Sequence, residues 1–460
     1  MSRQLTLWLR DKLIRSRSLN ATRIVAASFA VIILTGALLL TLPAASRSGE
    51  SAGFFTALFT ATSSSCVTGL ILVDTWTQWS LFGQVVILVM IQLGGLGFMT
   101  ILTLFSLATR RRIGLSERLI IVSTLNLNNM DGVVRVVRHA LIGTFLLEGA
   151  GAVLLALRFI PQAGLARGLW YGLFHAVSGF CNAGFDLLGW RGGAFSSLAC
   201  CKDDPVVLLT LSALIIIGGL GFFVWEDLLE CRCWKRLSPY TKIVLMLTAG
   251  LLLAGTVFFF LEESHNSATF GDMPLWQKGL NAFFQSVTLR TAGFDAIGQG
   301  NLTDSSKALC CIFMLIGGSS GSTAGGVKTA TVAVLLLALR ASLTGREQVA
   351  FRGRAVPFQR VLDAMTLALV VLFLFFGASM TISTLEGLPY LDCAYEVASA
   401  MGTAGLTCGL TPGLSRISQG LIIALMYLGR VGILSFSIAF ITRNHTPAKL
   451  RYPEMRVMIG

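Results

Sequence analysis

The sequence predicts an all-α integral membrane protein of four pseudo-repeats, each a helix, a re-entrant half-helix, an extended segment and a second helix. Three observations support this fold class. Of the 460 residues, 54% are hydrophobic and 13% are charged, whereas about a quarter of the residues are charged in an ordinary soluble domain. Apolar runs long enough to cross a bilayer recur, for example at 24–42, 206–225 and 362–382. Four similar glycine-centred segments also recur at nearly equal spacing, which indicates an internal repeat.

The basic residues order the membrane spans. Lysine and arginine cluster at 3–17, 110–138, 232–242, 340–360 and 443–456. Such clusters mark cytoplasmic loops, and two spans between successive clusters give eight transmembrane helices with both termini cytoplasmic. The net charge of +13 then reflects basic residues concentrated on the cytoplasmic side of a bilayer. We therefore expect no nucleic-acid partner. The first span ends in LPAAS, like a signal-peptide cleavage site, but its apolar run is longer than a signal peptide requires, so we interpret it as a retained helix.

The same pattern divides the chain into repeats and loops. The predicted boundaries are a cytosolic N-terminus at 1–19, repeat 1 at 20–109, a cytosolic loop at 110–138, repeat 2 at 139–230, repeat 3 at 239–340, a cytosolic loop at 341–357, repeat 4 at 358–442 and a cytosolic tail at 443–460.

Each repeat contains a short apolar stretch that breaks at a glycine. The aligned glycines are Gly69, Gly184, Gly293 and Gly405, which by subtraction lie 115, 109 and 112 residues apart. A stretch of ten to fourteen apolar residues is too short to cross and is typical of a re-entrant segment. The closing helices carry a second alignment 25, 34, 24 and 24 residues further on. Its members are Gly94-Gly95, Gly218-Gly219, Gly317-Gly318 and Gly429-Arg430, and the outlier follows a longer outer loop at 189–205.

Non-helical backbone at membrane depth must line a cavity or be buried in protein. A ring of backbone carbonyls can replace the water shell of a dehydrated cation, and glycine reaches the positive φ that aligns such carbonyls. The alternative is a plain helix-capping turn in each copy, which four copies in register do not favour. We therefore predict a cation selectivity filter around one central pore, formed by Val67, Thr68, Gly69, Asn182, Ala183, Gly184, Thr291, Ala292, Gly293, Thr403, Ala404 and Gly405.

These motifs resemble a known superfamily. CVTGL, CNAGFD, RTAGFD and GTAGL, together with GGSSGSTAGGVKT, look like the potassium transporters that include Trk, Ktr and HKT proteins, over nearly the whole chain. One span before the first filter segment and a short tail make the chain most similar to a Ktr-type membrane subunit. The resemblance implies potassium uptake at a bacterial cell membrane and a homodimer on a cytosolic RCK-type (KtrA-like) ring. It also implies nucleotide on that ring only, no cofactor in this chain, and potassium selectivity because Gly69 is not serine.

Two further segments are candidates for a gate. The first comprises Gly317, Gly318, Ser319, Ser320, Gly321, Ser322, Thr323, Ala324, Gly325 and Gly326. It is not a phosphate-binding loop, because Val327 precedes Lys328 and the segment lies within a span. We expect it to break the third closing helix, with a loosely packed kink as the alternative. Arg430 lies in an apolar helix, where a charge is a functional hypothesis by default. The resemblance implies that both gate the pore; for Arg430 the alternative is a buried arginine satisfied by carbonyls.

The remaining charged residues near the filter leave choices open. We expect Arg290 to point away from the pore and to brace the filter against backbone or a carboxylate. Asp186 and Asp295 either draw cations to the outer mouth or are solvated turn residues. The loops at 110–138 and 340–360 either dock a regulatory subunit or anchor anionic lipid. Cys200 and Cys201 lie on the outer side and are given no role.

Two other classes of function are weaker candidates. An ion-coupled secondary solute transporter with broken helices would have repeats of alternating orientation, whereas these four all begin on the inside. A membrane-embedded enzyme would need a convergent acid, base or metal set, and no cysteine–histidine set has zinc-site spacing. The sequence therefore predicts that the protein is not an enzyme.

Overall fold

A computed structural model describes residues 23–97, 133–231 and 233–432, with side chains from 138 onward in the second range. The predicted N-terminus (1–19), most of the loop at 110–138 and the tail (443–460) lie outside the described residues. In chain order the helices are α1 (Arg23–Thr41), α2 (Phe54–Ser65), α3 (Thr75–Gln78), α4 (Leu81–Leu96), α5 (Val133–Ala163), α6 (Leu165–Phe180), α7 (Gly189–Gly192), α8 (Pro205–Leu220), α9 (Phe222–Glu230), α10 (Pro239–Glu263), α11 (Leu275–Thr288), α12 (Asp304–Leu315), α13 (Thr329–Leu343), α14 (Phe358–Glu386), α15 (Tyr390–Gly402) and α16 (Arg416–Val431). Strands β1 (Ala350–Phe351) and β2 (Arg354–Ala355) form an antiparallel hairpin.

Four long apolar helices open the four repeats. They are α1, α5, α10 and α14, and each is long and apolar enough to cross a membrane. Many of their large apolar side chains are exposed, including Leu146, Leu253 and Phe373. In a bilayer such side chains face lipid, so these helices form an outer wall.

The second helix of each repeat is short and leads toward the middle of the molecule. These pore helices, α2, α6, α11 and α15, have 12, 16, 14 and 13 residues. At 1.5 Å per residue none reaches the roughly 30 Å of a bilayer core. Their last turns are fully buried, as at Phe180 and Val397. They therefore end inside the protein, as the sequence predicts for a re-entrant element.

The closing helices α4, α8, α12 and α16 are short and end at Leu96, Leu220, Leu315 and Val431. The sequence predicted a break in the third of them, and α12 does end at Leu315, 14 residues before α13 begins at Thr329. Gly97, Gly221 and Gly432 follow α4, α8 and α16 with φ of 77°, 91° and 93°. Side chains other than glycine resist this backbone region, so glycine is where these helices can turn. After Gly221 the chain bends by 92° into α9.

The aligned glycine pairs bring the closing helices against the ends of the pore helices. A Cβ atom at Gly94, Gly218 or Gly429 would overlap the carbonyl oxygen of the last or penultimate pore-helix residue, namely Ser65, Phe180 and Met401 respectively. The pairs therefore allow close backbone approach, which explains their fixed distance from the filter glycines.

The number of membrane crossings is only partly visible. Four helices qualify as spans by themselves, and the bent pair α8 and α9 makes a fifth. Residues 98–132, which follow α4, and 433–460, which follow α16, lie outside the described part of the chain. The all-α membrane fold is confirmed, and the count of eight helices stays a prediction.

Candidate functional site

The four glycine segments share one unusual backbone conformation. Val67, Asn182, Thr291 and Thr403 have φ of 56°, 59°, 66° and 51°. Two residues later Gly69, Gly184, Gly293 and Gly405 have φ of 98°, 71°, 81° and 85°. Positive φ is uncommon outside glycine and is an outlier for β-branched residues. Its fourfold recurrence means that tertiary structure imposes the same turn in every repeat. The glycines could be identified from the sequence, but the strain two residues before them could not.

The four segments meet in a closed ring that follows chain order. A Cβ atom built on Gly69 would lie 2.7 Å from the carbonyl oxygen of Ala183, and one on Gly184 would lie 2.7 Å from that of Ala292. A Cβ on Gly293 would lie 2.8 Å from the oxygen of Ala404. One on Gly405 would overlap the oxygen of Thr68, which closes the circle. The ring has space for glycine only, and a simple helix cap would require no such convergence.

The electrostatics around this ring favour a cation. Each segment follows the C-terminal end of a pore helix, where the helix macrodipole is negative. The ends of α2, α6 and α11 are Ser65, Phe180 and Thr288, and that of α15 is Gly402. Four such ends and a set of backbone carbonyls face the same small volume. This arrangement can coordinate a dehydrated monovalent cation through oxygen atoms.

Side-chain hydroxyls at the pore-helix ends hold the segments. Ser63 Oγ accepts a hydrogen bond from the Gly69 amide at 3.0 Å. Ser178 Oγ donates to the Phe185 carbonyl, and Thr288 Oγ1 donates to the Phe294 carbonyl, both at 2.7 Å. These bonds anchor the chain at the ring glycine in repeat 1 and one residue after it in repeats 2 and 3, whereas Ser399 Oγ of repeat 4 has no partner among the described residues.

A second set of buried polar side chains, not predicted from the sequence, braces the chain beyond the ring. His175 Nε2 accepts from the Leu187 amide at 3.3 Å. Gln285 and Gln299 exchange two amide hydrogen bonds of 2.6 and 3.2 Å. Glu396 accepts from Thr407 Oγ1, the Cys408 amide and Thr411 Oγ1 at 2.6, 2.9 and 2.5 Å. The available signal was a polar residue eight or nine positions before each filter glycine.

The loop from Ile316 to Lys328, which we call the gate loop after the role predicted from the sequence, packs against the ends of the pore helices and of α8. Its neck is closed by a hydrogen bond from the Gly317 amide to the Val327 carbonyl at 2.9 Å. The Ser319 amide donates to Gly219 O, and Thr323 Oγ1 donates to Phe180 O, each at 3.0 Å. Two further glycines of the loop pack against repeat 4, where a Cβ on Gly325 would overlap Thr403 Oγ1. Such a bonded loop is not a loosely packed kink.

Arg430 connects this loop to repeat 1. Its guanidinium donates to the Thr323 carbonyl at 2.5 Å, to the Gly94 carbonyl, and to the Gly95 carbonyl at 3.2 Å. The arginine is thus satisfied by carbonyls, which was one of the two interpretations of this residue. Those carbonyls belong to the gate loop and to the end of α4, so the side chain also bridges the inner side of the ring.

A buried carboxylate supports the end of α4 from outside the ring. Glu148 on α5 accepts hydrogen bonds from Gln92 Nε2 at 3.1 and 3.2 Å. Gln92 lies two residues before Gly94, which accepts from Arg430. Glu148 was not among the residues predicted from the sequence. An ionisable residue within a span was the signal that could have found it.

Three charged residues near the ring have different outcomes. Arg290 is buried and lines a small cavity with Ile215, Gly219 and Gly318. Its Nε has no hydrogen-bond partner within the described ranges, so the expected brace is not found for that atom. Asp295 accepts from the amides of Ile297, Gly298 and Gln299, and Asp186 accepts from that of Leu188. Both carboxylates therefore form turns; their effect on arriving cations stays a prediction.

Comparison with known proteins gives consistent matches over nearly the whole chain. A family model described as TrkH, cation transport protein, matches residues 2–448. Potassium/sodium uptake protein NtpJ of Enterococcus hirae is 42% identical, with 98% of this chain and 99% of that protein covered. Ktr system potassium uptake protein B of Bacillus subtilis is 36% identical, with the same coverage. The crystal structure of the potassium transporter TrkH from Vibrio parahaemolyticus has a TM-score of 0.71 at 19% identity, covering 94% of this chain and 86% of that one.

Proposed function

The chain belongs to the TrkH family of cation transport proteins, and on that premise we propose that it takes up potassium through a four-strand carbonyl filter. Membership makes it a multi-pass membrane protein that transports cations, in agreement with the prediction that it is not an enzyme. The proposed filter residues are the twelve named from the sequence, three in each segment. Potassium is the transported ion, and the chain itself carries no cofactor.

The closed glycine ring is the observation that carries this proposal. Its would-be Cβ positions lie 2.7 to 2.8 Å from carbonyl oxygens of the next repeat at Gly69, Gly184 and Gly293. Backbone oxygens are the ligands that replace the water of a dehydrated potassium ion. A side chain at any of these positions would displace a carbonyl, so the ring geometry explains why each repeat has glycine there.

The gate loop and Arg430 form the proposed gate. A fixed positive charge on the inner side of the filter raises the barrier for a cation through Coulomb repulsion. Opening requires Arg430 to leave the carbonyls of Thr323, Gly94 and Gly95. Because Thr323 lies in the gate loop, movement of the loop and release of the arginine are coupled. The glycines of the loop make that movement sterically possible.

Assembly and location follow from the relatives and from charge. The name of the Bacillus subtilis relative refers to a system with a component B, which supports a separate regulatory component. We infer a homodimer on a cytosolic RCK-type ring that binds the nucleotide. The relatives from Enterococcus hirae and Bacillus subtilis are bacterial proteins, and the basic clusters favour cytoplasmic termini, so the bacterial cell membrane is the inferred location.

Sodium is the second candidate ion, because the name of the Enterococcus hirae relative includes both potassium and sodium. The alternative of a solute transporter with inverted repeats gains no support from a family of cation transport proteins. The two ions differ in how well they fit a fixed set of carbonyls. Competition between potassium and sodium for uptake therefore distinguishes the two candidate ions.

Uptake of radiolabelled rubidium into proteoliposomes, competed by potassium or sodium, tests the filter. We expect potassium to compete strongly and sodium weakly, and Gly69→Ser to narrow that difference by about tenfold, or 1.4 kcal/mol. Gly53→Ser is the matched control, because Gly53 lies in the same repeat at φ 83° with open space around it.

Each outcome has a distinct meaning. Equal competition by both ions in the unchanged protein would support the second candidate. Ion competition that is unaffected by Gly69→Ser would show that the ring supports the fold but does not select the ion. If the unchanged protein takes up nothing, an RCK-type subunit is added, and continued inactivity counts against the proposal.

A further inference from the structure

The outer loop of repeat 2 carries two adjacent cysteines whose sulfur atoms are in contact. Cys200 and Cys201 lie in a 3-10 helix (Ala199–Cys201) with their Sγ atoms 3.7 Å apart. Two sulfurs bonded to one centre at about 2.3 Å lie about 3.3 to 3.8 Å apart for bond angles between about 90° and 110°. The pair therefore already has the spacing at which one thiophilic centre can bond both sulfurs.

A second adjacent pair in the same chain lacks this geometry. Cys310 and Cys311 lie in α12 and are both buried. Successive side chains of an α-helix point about 100° apart, and Cys310 Sγ instead accepts from Gln285 Nε2. Adjacency in sequence is thus not sufficient. In the outer loop, by contrast, the sulfurs of Cys200 and Cys201 lie in direct contact at 3.7 Å.

The surroundings of the pair favour reaction. Cys200 is partly exposed, whereas Cys201 is buried. The hydrogen bond from the Cys201 thiol lowers the pKa of Cys200, and the nearby Arg191 guanidinium adds to that effect. Arg191 Nη1 also donates to Cys201 Sγ at 3.7 Å. A thiolate is the nucleophilic and ligating form of cysteine, so the lowered pKa favours reaction at the partly exposed Cys200, and the Cys201 thiol lies within reach of the same centre.

The geometry points to a vicinal dithiol site at Cys200 and Cys201 that binds a thiophilic centre satisfied by two sulfur ligands, such as a trivalent organoarsenical. No third cysteine, histidine or carboxylate completes a metal cluster among the residues with described positions, so the four-ligand coordination of structural zinc is not favoured. With phenylarsine oxide, two S–As bonds replace the As–O double bond. The oxygen leaves as water with both thiol hydrogens, and arsenic stays trivalent.

The site lies at the outer mouth of the proposed pathway. The loop that carries it donates a hydrogen bond from the Phe195 amide to Asp74 Oδ1 at 3.0 Å. It also donates from the Leu198 amide to the Asp295 carbonyl at 2.8 Å. Asp295 follows the ring glycine Gly293 by two residues. The inference does not depend on the transport proposal, because binding is measured without ion flux.

Phenylarsine oxide binding to the purified full-length chain tests the site. The protein carries Cys231→Ser and Cys233→Ser, which remove the two cysteines of the loop between α9 and α10, and is reduced before use. We expect one arsenical per chain, the loss of two titratable thiols, and a mass gain of one arsenical less one water. A dithiol should reverse binding, whereas a monothiol at equal thiol concentration should not.

The decisive variant is Cys200→Ser, which changes the partly exposed partner. It should abolish stoichiometric binding while the thermal transition and elution profile stay unchanged. Cys310→Ser is the matched control from the other adjacent pair and should bind like the background protein. Full binding by Cys200→Ser, absence of binding by the background protein, or reversal by a monothiol would each overturn the inference.

Discussion

The pore helices of repeats 1 and 4 lead to the same backbone ring but support it differently. In α15, Glu396 accepts three hydrogen bonds from the chain that follows the ring. At the same position in α2, Thr60 Oγ1 donates only to Thr56 O within its own helix. The backbone conformation is therefore the same in all four repeats, while the side chains that support it differ. The ring requires the same backbone conformation in every repeat. The side chains that stabilise this conformation differ from one repeat to the next.

Repeats 2 and 3 are intermediate between these extremes. His175 supplies one acceptor to the chain beyond the ring, and Gln285 acts through Gln299. Hydrogen bonds to a charged group contribute about 1.5–3 kcal/mol each, compared with about 1 kcal/mol for neutral ones. A buried carboxylate without partners is very costly, so Glu396 is retained only because its donors are in place. We therefore expect the strand of repeat 4 to be held most firmly and that of repeat 1 least firmly.

The largest expected effect comes from filling the ring in the rigid repeat. Gly405→Ala places a methyl group onto the Thr68 carbonyl, and the strand held by Glu396 cannot move away. We expect at least about a tenfold loss of rubidium uptake, equivalent to 1.4 kcal/mol. Gly69→Ala should cost less, because its strand lacks the brace. Equal losses of rubidium uptake in Gly405→Ala and Gly69→Ala would mean that the two strands resist displacement equally.

An intermediate effect is expected from the brace itself. Glu396→Ala leaves Thr407, Cys408 and Thr411 without their acceptor, and each buried unpaired group costs about 1–3 kcal/mol. We expect a lower thermal unfolding midpoint in detergent and weaker discrimination between potassium and sodium in the uptake assay. Thr60→Ala is the matched control in repeat 1 and should change neither. A Glu396→Ala protein with unaltered discrimination would restrict the carboxylate to a role in stability.

The smallest expected effect concerns the link between repeats. Tyr395 on α15 donates its hydroxyl to Gln299 Oε1 at 2.8 Å, which joins the frames of repeats 3 and 4. Tyr395→Phe removes this bond and keeps the ring, so the cost should be about 1 kcal/mol. The unfolding midpoint should fall slightly, with ion competition unchanged. If competition shifts as strongly as in Glu396→Ala, the two frames act as one unit.

The sequence was most informative where a repeat and a chemical requirement coincided. The resemblance drawn from the four glycine motifs and the gate-loop motif is confirmed by family membership. The glycine pairs were also found, because close helix approach demands small residues. The helix ends at Gly97, Gly221 and Gly432 were not predicted, because a glycine in an apolar helix can equally serve close packing against a neighbouring helix. The frame of His175, Gln285 and Glu396 was missed because its members differ chemically from repeat to repeat.

The sequence by itself determined the membrane class, the four units, the ring glycines and the segment that breaks the third closing helix. Those features follow from local rules: apolar length, glycine at strained backbone, and polar residues in an apolar span. Only the tertiary structure decided that the four segments close in chain order, that Arg430 donates to the carbonyls of Thr323 and Gly94, and that Glu396 braces repeat 4. Each of these contacts joins residues that are far apart in the sequence. Their distance in space depends on how the four repeats pack around one axis, which no local sequence pattern encodes.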